Sequence, residues 1–220
     1  MTRKILIALL IGTACLLAVF ALWPGIDLGF ASLFFDAGTF IGRGPVGEHF
    51  RRIFYDAPYF LLGALLLAAI AGWSGRAARG PYLRAIVFLV GTLALGPGLL
   101  VNGVLKEVSH RPRPEQTQEF GGPWTFQPYD SFTGQCRSNC SFVSGEAATA
   151  AWTLAPALLT PPQARPFMVA AALLFTLATA ALRMAFGGHY LSDVTFAALF
   201  TFIIVLAGYR WYRRPEKSEG

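Results

Sequence analysis

Arg183, His189 and Asp193 lie within one short segment, Leu182-Arg-Met-Ala-Phe-Gly-Gly-His-Tyr-Leu-Ser-Asp193. A helix beginning near His189 puts the imidazole and the carboxylate on one face, about one turn apart. A carboxylate there can hold one ring nitrogen and raise the basicity of the other, which is how a third group orients a nucleophile. A lone histidine is more often a satisfied structural residue. An arginine, a histidine and an aspartate together at a membrane edge are expensive, and point to function. A second polar segment, Lys106-Glu-Val-Ser-His-Arg-Pro-Arg-Pro114, follows an apolar run. Its plain reading is a basic anchor reaching for lipid phosphates; its functional reading is an anion site. A third segment, Ser141-Phe-Val-Ser-Gly-Glu-Ala147, opens another apolar run. The unpaired N–H groups and partial positive charge of a first helical turn attract anions. Ser144 adds a hydroxyl, and Gly145 lets an anion approach the backbone. Each residue also has a structural alternative: Ser144 as a cap, Gly145 as close packing, Glu146 as a complement to the helix dipole.

The elements that position these residues are membrane spans. Of the 220 residues, 55% are hydrophobic and only 14% charged, against about 25% charged in soluble domains; mean hydropathy is +0.51. This composition excludes a soluble globular enzyme, a disordered chain and a disulfide scaffold. Runs of about 20 apolar residues predict an all-α, polytopic bundle of six transmembrane helices forming a single domain over 1–220. The spans run from about 5–23, 59–73, 85–105, 143–160, 167–185 and 191–209. The first follows Arg3 and Lys4 and lacks a small-residue cleavage site, so it is expected to stay attached. The net charge of +6 fits cytoplasmic loops and anionic headgroups, and no basic run with interleaved aromatics supports nucleic-acid binding. Arg76, Arg79, Arg84, Arg165, Arg210, Arg213, Arg214 and Lys217 fall on the side of both termini, which the positive-inside rule makes cytoplasmic. The three polar segments then face the periplasm or exterior. The outer segment from Gly25 to Tyr55 is expected to lie along the surface as an amphipathic stretch.

Together the three segments resemble the phosphatidic acid phosphatase type 2 (PAP2) superfamily, which includes lipid phosphatases and vanadium haloperoxidases. Lys106 and Arg113-Pro114 match its first signature; Arg183, His189 and Asp193 match its third. The second, Pro-Ser-Gly-His, is here Val143-Ser144-Gly145-Glu146. The resemblance covers roughly Lys106 to the end of the chain. It implies a phosphatase in which His189 attacks phosphorus to form a phosphohistidine and Asp193 orients it. Lys106, Arg113, Arg183, Ser144 and the Gly145 N–H would hold the phosphoryl oxygens. Three cations and a helix N-terminus can neutralise that charge without a metal, so neither a metal nor another cofactor is expected. The family's histidine protonates the leaving oxygen; Glu146 could do so only if protonated. Its alternatives are an ion pair with Arg183 or Lys106, or a contact to the substrate headgroup. His110 is a fallback acid.

Cys136 and Cys140 suit a small disulfide in an oxidising compartment, or two free thiols in the cytoplasm. The aromatic, glycine-rich stretch Phe120 to Tyr129 suits the headgroup layer as a lid, a pocket wall or a packing loop. The expected partners are the bilayer and a lipid phosphate: lipid A, undecaprenyl diphosphate, phosphatidylglycerophosphate or phosphatidic acid. Two other functions fit the same residues, a lipid-to-lipid phosphotransferase and a non-catalytic lipid-binding or transport protein. Oligomeric state is not legible.

Overall fold

In a computed structural model, which describes residues 2–72 and 79–214, the chain is helical except around one tiny hairpin and one long loop. Helix α1 (Thr2–Leu22) leads into a short α2 (Gly25–Ser32) and the antiparallel pair β1 (Phe35–Asp36) and β2 (Thr39–Phe40). Then come α3 (Pro45–Ala71) and α4 (Arg79–Leu93), which widens into a π-type helix over Ala94–Leu105 and closes with α5 (Lys106–Val108). After the loop follow α6 (Gly145–Trp152), α7 (Leu154–Leu159), α8 (Arg165–Ala185) and α9 (Leu191–Tyr212). Arg76 and Lys217, and most of the turn expected after the second span, lie outside the described residues.

Among the described residues, five helices are long and apolar enough to cross a membrane: Arg3–Leu22, Pro45–Ala71, Gly80–Val108, Arg165–Ala185 and Leu191–Tyr212. Two sequence expectations need correction. The span expected at 59–73 begins far earlier, because Pro45 occupies the first turn, where its missing N–H is harmless, and the helix runs on through Pro58 to Ala71. Its 27 residues extend about 40 Å, so Arg51, expected on a surface stretch, belongs to a membrane helix. The span expected at 143–160 is two short helices with a break at Thr153. Pro156 explains the break: it offers no N–H to Trp152, and its ring crowds that carbonyl one turn back. Thr153 Oγ1 instead donates to the Ala150 carbonyl at 2.6 Å.

Helices α6 and α9 form the buried centre. Ala147, Ala148, Ala150 and Ala151 of α6 and Ala197 of α9 have no exposed surface, and such small side chains let helices approach closely. One apolar cluster joins Phe20, Val101, Phe142, Val194 and Phe196; a second joins Phe88, Leu89, Trp152, Val205 and Tyr209. The Trp152 indole N–H donates to the Leu89 carbonyl and Thr92 Oγ1, both at 3.1 Å. Outer faces carry bare apolar side chains instead, such as Phe60 on α3 and Leu174 on α8. At one end of the bundle Arg84 donates to the carbonyls of Tyr212 and Arg214 that close α9, a favourable place for a cation. The three polar segments collect at the opposite end.

The turn between α8 and α9 depends on Gly187, whose φ of +66° is left-handed and whose missing Cβ leaves room for the Phe40 ring. Gly187→Ala is expected to lose about 2 kcal/mol or more, from backbone strain plus overlap with that ring. A thermal midpoint in detergent lowered by at least about 4 °C is the readout, with Gly12→Ala, which meets nothing within 4 Å, as the neutral comparison.

Candidate active site

Asp193 is the third residue of α9, and a carboxylate at that position reaches back to the N-cap backbone. Its Oδ2 accepts from the Tyr190 N–H at 2.8 Å and from Ser141 Oγ at 2.5 Å, while Oδ1 accepts from Arg111 Nη1 at 2.6 Å. Those contacts occupy the carboxylate, so the direct hold on the His189 ring expected from the four-residue spacing is not made: Oδ2 stays 3.7 Å from Nδ1. The ring is held instead by the Ser141 carbonyl, 2.7 Å from Nδ1. A carbonyl can only accept, so Nδ1 carries the proton and Nε2 keeps its lone pair. Asp193 therefore acts through Ser141, whose hydroxyl it fixes and whose carbonyl fixes the imidazole.

Behind this relay lies a buried charge network absent from the sequence expectations. Arg111, with no exposed surface, donates to Asp27 at 2.7 Å, to Ser192 Oγ at 2.8 Å and to the Gln127 carbonyl at 2.9 Å, besides Asp193. Asp27, from α2, in turn accepts from the backbone and hydroxyl of Ser192 at 2.8 and 2.6 Å. Arg111 also stacks over the Tyr190 ring, 4.4 Å from its centroid. The sequence signal was an aspartate inside an otherwise apolar outer stretch, beside a second Arg-Pro step just before Arg113-Pro114.

His189 opens onto a polar cavity of about 320 Å³ that brings together Lys106, Arg113, Gly145, Glu146 and Arg183. Arg51, Tyr55 and Tyr59 of α3 line it too, with Asn102, Asn139 and Thr149. Gly145 is needed there: a Cβ would come within 2.7 Å of Asn102 Oδ1 and 3.3 Å of Lys106 Nζ. Arg183 is almost wholly buried, and its Nε has no hydrogen-bond partner among the described residues. Lys106 Nζ donates to Asn139 Oδ1 and Arg113 Nη2 to the Asn139 carbonyl, both at 3.0 Å. Asn139 sits in the loop closed by a Cys136–Cys140 disulfide, so the disulfide braces the two cations. Ser144 lies outside the cavity lining: fully buried, it caps α6, accepting from the Ala147 N–H at 3.3 Å. Glu146 accepts from Arg51 Nη2 at 2.9 Å and lies 3.5 Å from Arg183 Nη1. Of its expected alternatives, the pair with Arg183 is present, but the closer partner is Arg51. His110 turns away, Nδ1 meeting the Cys136 carbonyl at 2.9 Å. Among the described residues no three His, Cys, Asp or Glu side chains are grouped to hold a metal ion.

Burial pushes the His189 pKa down to about 3, so the imidazole is neutral at working pH and its Nε2 lone pair is available. A ring-proton NMR titration should show no His189 transition between pH 8 and 5; a midpoint near the ordinary 6.5 would contradict the burial. The sign for stability follows. The folded pKa lies below the unfolded one, so the unfolded chain binds the extra proton, and stability falls as pH drops from about 6.5 towards 3. A second expectation concerns the buried network. Arg111→Met leaves two carboxylates buried without their cation and should destabilise the fold by about 3–5 kcal/mol, read by denaturation in detergent.

Similarity to known proteins identifies the family. The family profile of the PAP2 superfamily matches residues 85–217. A lipid A 4'-phosphatase of Rhizobium etli is 38% identical over 214 residues, covering 87% of this chain and 81% of that protein. A lipid A 4'-phosphatase of Francisella tularensis subsp. novicida is 34% identical over 211 residues, covering 90% and 91%. The crystal structure of a transmembrane PAP2-type phosphatidylglycerolphosphate phosphatase from Bacillus subtilis superposes with a TM-score of 0.61 at 17% identity, over 96% of this chain and 98% of that one. With its matched segment carrying Lys106, Arg113, Arg183, His189 and Asp193 around one cavity, the chain belongs to the PAP2 superfamily.

Proposed function

We propose that this PAP2-family membrane phosphatase hydrolyses a lipid phosphate monoester, with a phosphorylated lipid A as the leading substrate. The observation that carries this reading is Arg183: a buried guanidinium with an unpartnered Nε, lining the cavity onto which the lone-pair nitrogen of His189 opens. A phosphoryl group seated there meets the donors of Arg183, Arg113, Lys106 and the first turn of α6. Nε2 attacks phosphorus, the P–N bond forms as the P–O bond to the lipid breaks, and the leaving lipid oxygen takes its proton from water. Water then cleaves the phosphohistidine, releasing inorganic phosphate and restoring Nε2. The cations neutralise charge spread over the equatorial oxygens, which is most of what this chemistry asks of a protein. Arg113 and Arg183 can each donate two parallel bonds to phosphate, which lysine cannot.

The choice of a lipid is supported by a second cavity of about 330 Å³, lined by Pro58, Leu61 and Leu65 of α3, Pro156 of α7, and Met168 and Phe175 of α8. Helices α3 and α8 line both cavities, the polar one with Tyr55, Tyr59 and Arg183 and the apolar one with residues such as Leu61 and Phe175, which suits a substrate with a charged head and an apolar tail. The choice of lipid A rests on the curated relatives. Counting α6 and α7 as one interrupted crossing gives six, with both termini on the cytoplasmic side of an inner membrane and the site on the periplasmic side. The disulfide and the placement of Arg84, Arg165 and Arg210 at the far end favour that orientation.

Phosphate release from lipid A, phosphatidylglycerophosphate and phosphatidic acid in detergent micelles tests the reading. The parent protein should release phosphate, fastest from lipid A, and His189→Ala should lose at least about 10³-fold in turnover. Acid-labile radiolabel retained by the parent and absent from the variant would mark the phosphohistidine; full activity in His189→Ala would end this mechanism.

A further inference from the structure

Glu146 stands where the family has its acid, yet its geometry is that of a carboxylate engaged by cations. One oxygen, Oε1, accepts from Arg51 Nη2 at 2.9 Å and Arg51 Nε at 3.3 Å, and lies 3.5 Å from Arg183 Nη1. Arg51 comes from α3, outside the matched segment of the family, and lines the same cavity as His189, Lys106, Arg113 and Arg183. Its remaining nitrogen has only a 3.4 Å contact with exposed Glu48. The guanidinium is therefore poised rather than saturated. A phosphate offers it two oxygens in the paired geometry it prefers, against the single oxygen of Glu146.

We infer that Arg51 is a fourth phosphate-binding cation of this site, and that Glu146 is the positioning residue that holds Arg51 and Arg183 over it. This rests on the phosphatase reading for its kinetics, but not for its binding chemistry. Four cations around one phosphate, of about −1.5 to −2 charge, repel one another when the site is empty; Glu146 offsets one of them and keeps two guanidinium groups within reach of the incoming anion. The replacement of histidine by glutamate and the presence of Arg51 are then one feature, since neither side chain is well placed without the other.

The test combines kinetics with a binding readout that needs no turnover. In full-length protein Arg51→Gln should lower kcat/KM on the lipid phosphate at least tenfold, chiefly through KM, with Arg51→Lys recovering part of the loss. Glu146→Gln should lose less than 100-fold in kcat, and the loss should be the same on p-nitrophenyl phosphate, whose leaving group needs no proton. The double variant should fall no more than about threefold below Arg51→Gln, because Glu146 works through its arginines. Separately, in the inactive His189→Ala background, inorganic phosphate should raise the thermal midpoint, and adding Arg51→Gln or Arg51→Lys should remove or reduce that shift. An Arg51→Gln enzyme within twofold of the parent, with its phosphate shift intact, overturns the inference while leaving the phosphatase reading untouched. So does a Glu146→Gln defect above 100-fold that the activated ester rescues, the mark of a general acid. A parent that releases no phosphate from any lipid, yet shows an Arg51-dependent phosphate shift, sustains the inference and defeats the substrate reading.

Discussion

A guanidinium with no exposed surface persists only where carboxylates face it, and the whole site hangs on one such group. Arg111 joins three parts of the chain: Asp27 on α2, the Gln127 carbonyl in the long loop, and Ser192 and Asp193 at the start of α9. Burial pushes the Asp27 pKa up against the pull of Arg111, so the network is not simply a strong ion pair. Its worth lies in geometry. Removing a partner would leave buried charge uncompensated, and that penalty makes the register of the first turn of α9 nearly invariant. From there the constraint passes through short bonds, Asp193 to the Ser141 hydroxyl and the Ser141 carbonyl to His189. The tautomer of His189 is thus tied to Arg111 through three successive hydrogen bonds.

The cup facing His189 obeys a different constraint, since like charges crowd it. Burial pushes the Arg113 pKa down, and Arg51 nearby adds to the same effect. What keeps such a site assembled is neutral or anionic oxygen placed between the cations. Asn139 supplies two oxygens, one to Lys106 and one to Arg113, and Glu146 supplies one shared by Arg51 and Arg183. The Cys136–Cys140 loop fixes Asn139, and backbone bonds from Cys136 and Cys140 to the carbonyls of His110 and Lys106 tie that loop to the basic segment. A phosphate entering this cavity relieves repulsion already held in the fold, which is electrostatic preorganisation in structural form.

Most of the site was legible because its residues carry fixed spacings at predictable places. Lys106, Arg113, Arg183 and His189 sit at the ends of apolar runs, and apolar runs are the strongest signal a membrane sequence offers. What was not legible depends on tertiary pairing. The four-residue step from His189 to Asp193 predicts proximity, but not that the N-cap, Ser141 and Arg111 would claim the carboxylate first. Arg51 lies too far from the signatures in sequence, and with Arg52 it reads as part of an amphipathic stretch along the surface. The buried α6–α7 segment reads as an ordinary span because hydropathy does not register the break that Pro156 imposes. Ser144 had both a capping and a ligand reading; the backbone donors of a helix start are local and always present, and capping is the role the structure displays.

The charge pattern bears on the departing lipid as well as on the phosphate. In a loose phosphoryl-transfer transition state, negative charge builds on the leaving oxygen before the new bond is complete. A histidinium at the second signature would meet that charge with a cation and a proton together. On the roles proposed for Glu146 and Arg51, the two functions separate: the guanidinium supplies the cation, and the proton is left to water or to the lipid alcohol's own surroundings. Guanidinium retains its charge across the whole working pH range, so the electrostatic part of leaving-group stabilisation no longer depends on a titrating side chain at position 146. An enzyme built this way gives up proton transfer in return for a cation that is always present. That exchange would suit the proposed substrate, whose leaving oxygen lies in a polar, hydrogen-bonding sugar headgroup, better than one that releases a bare alkoxide into the apolar layer.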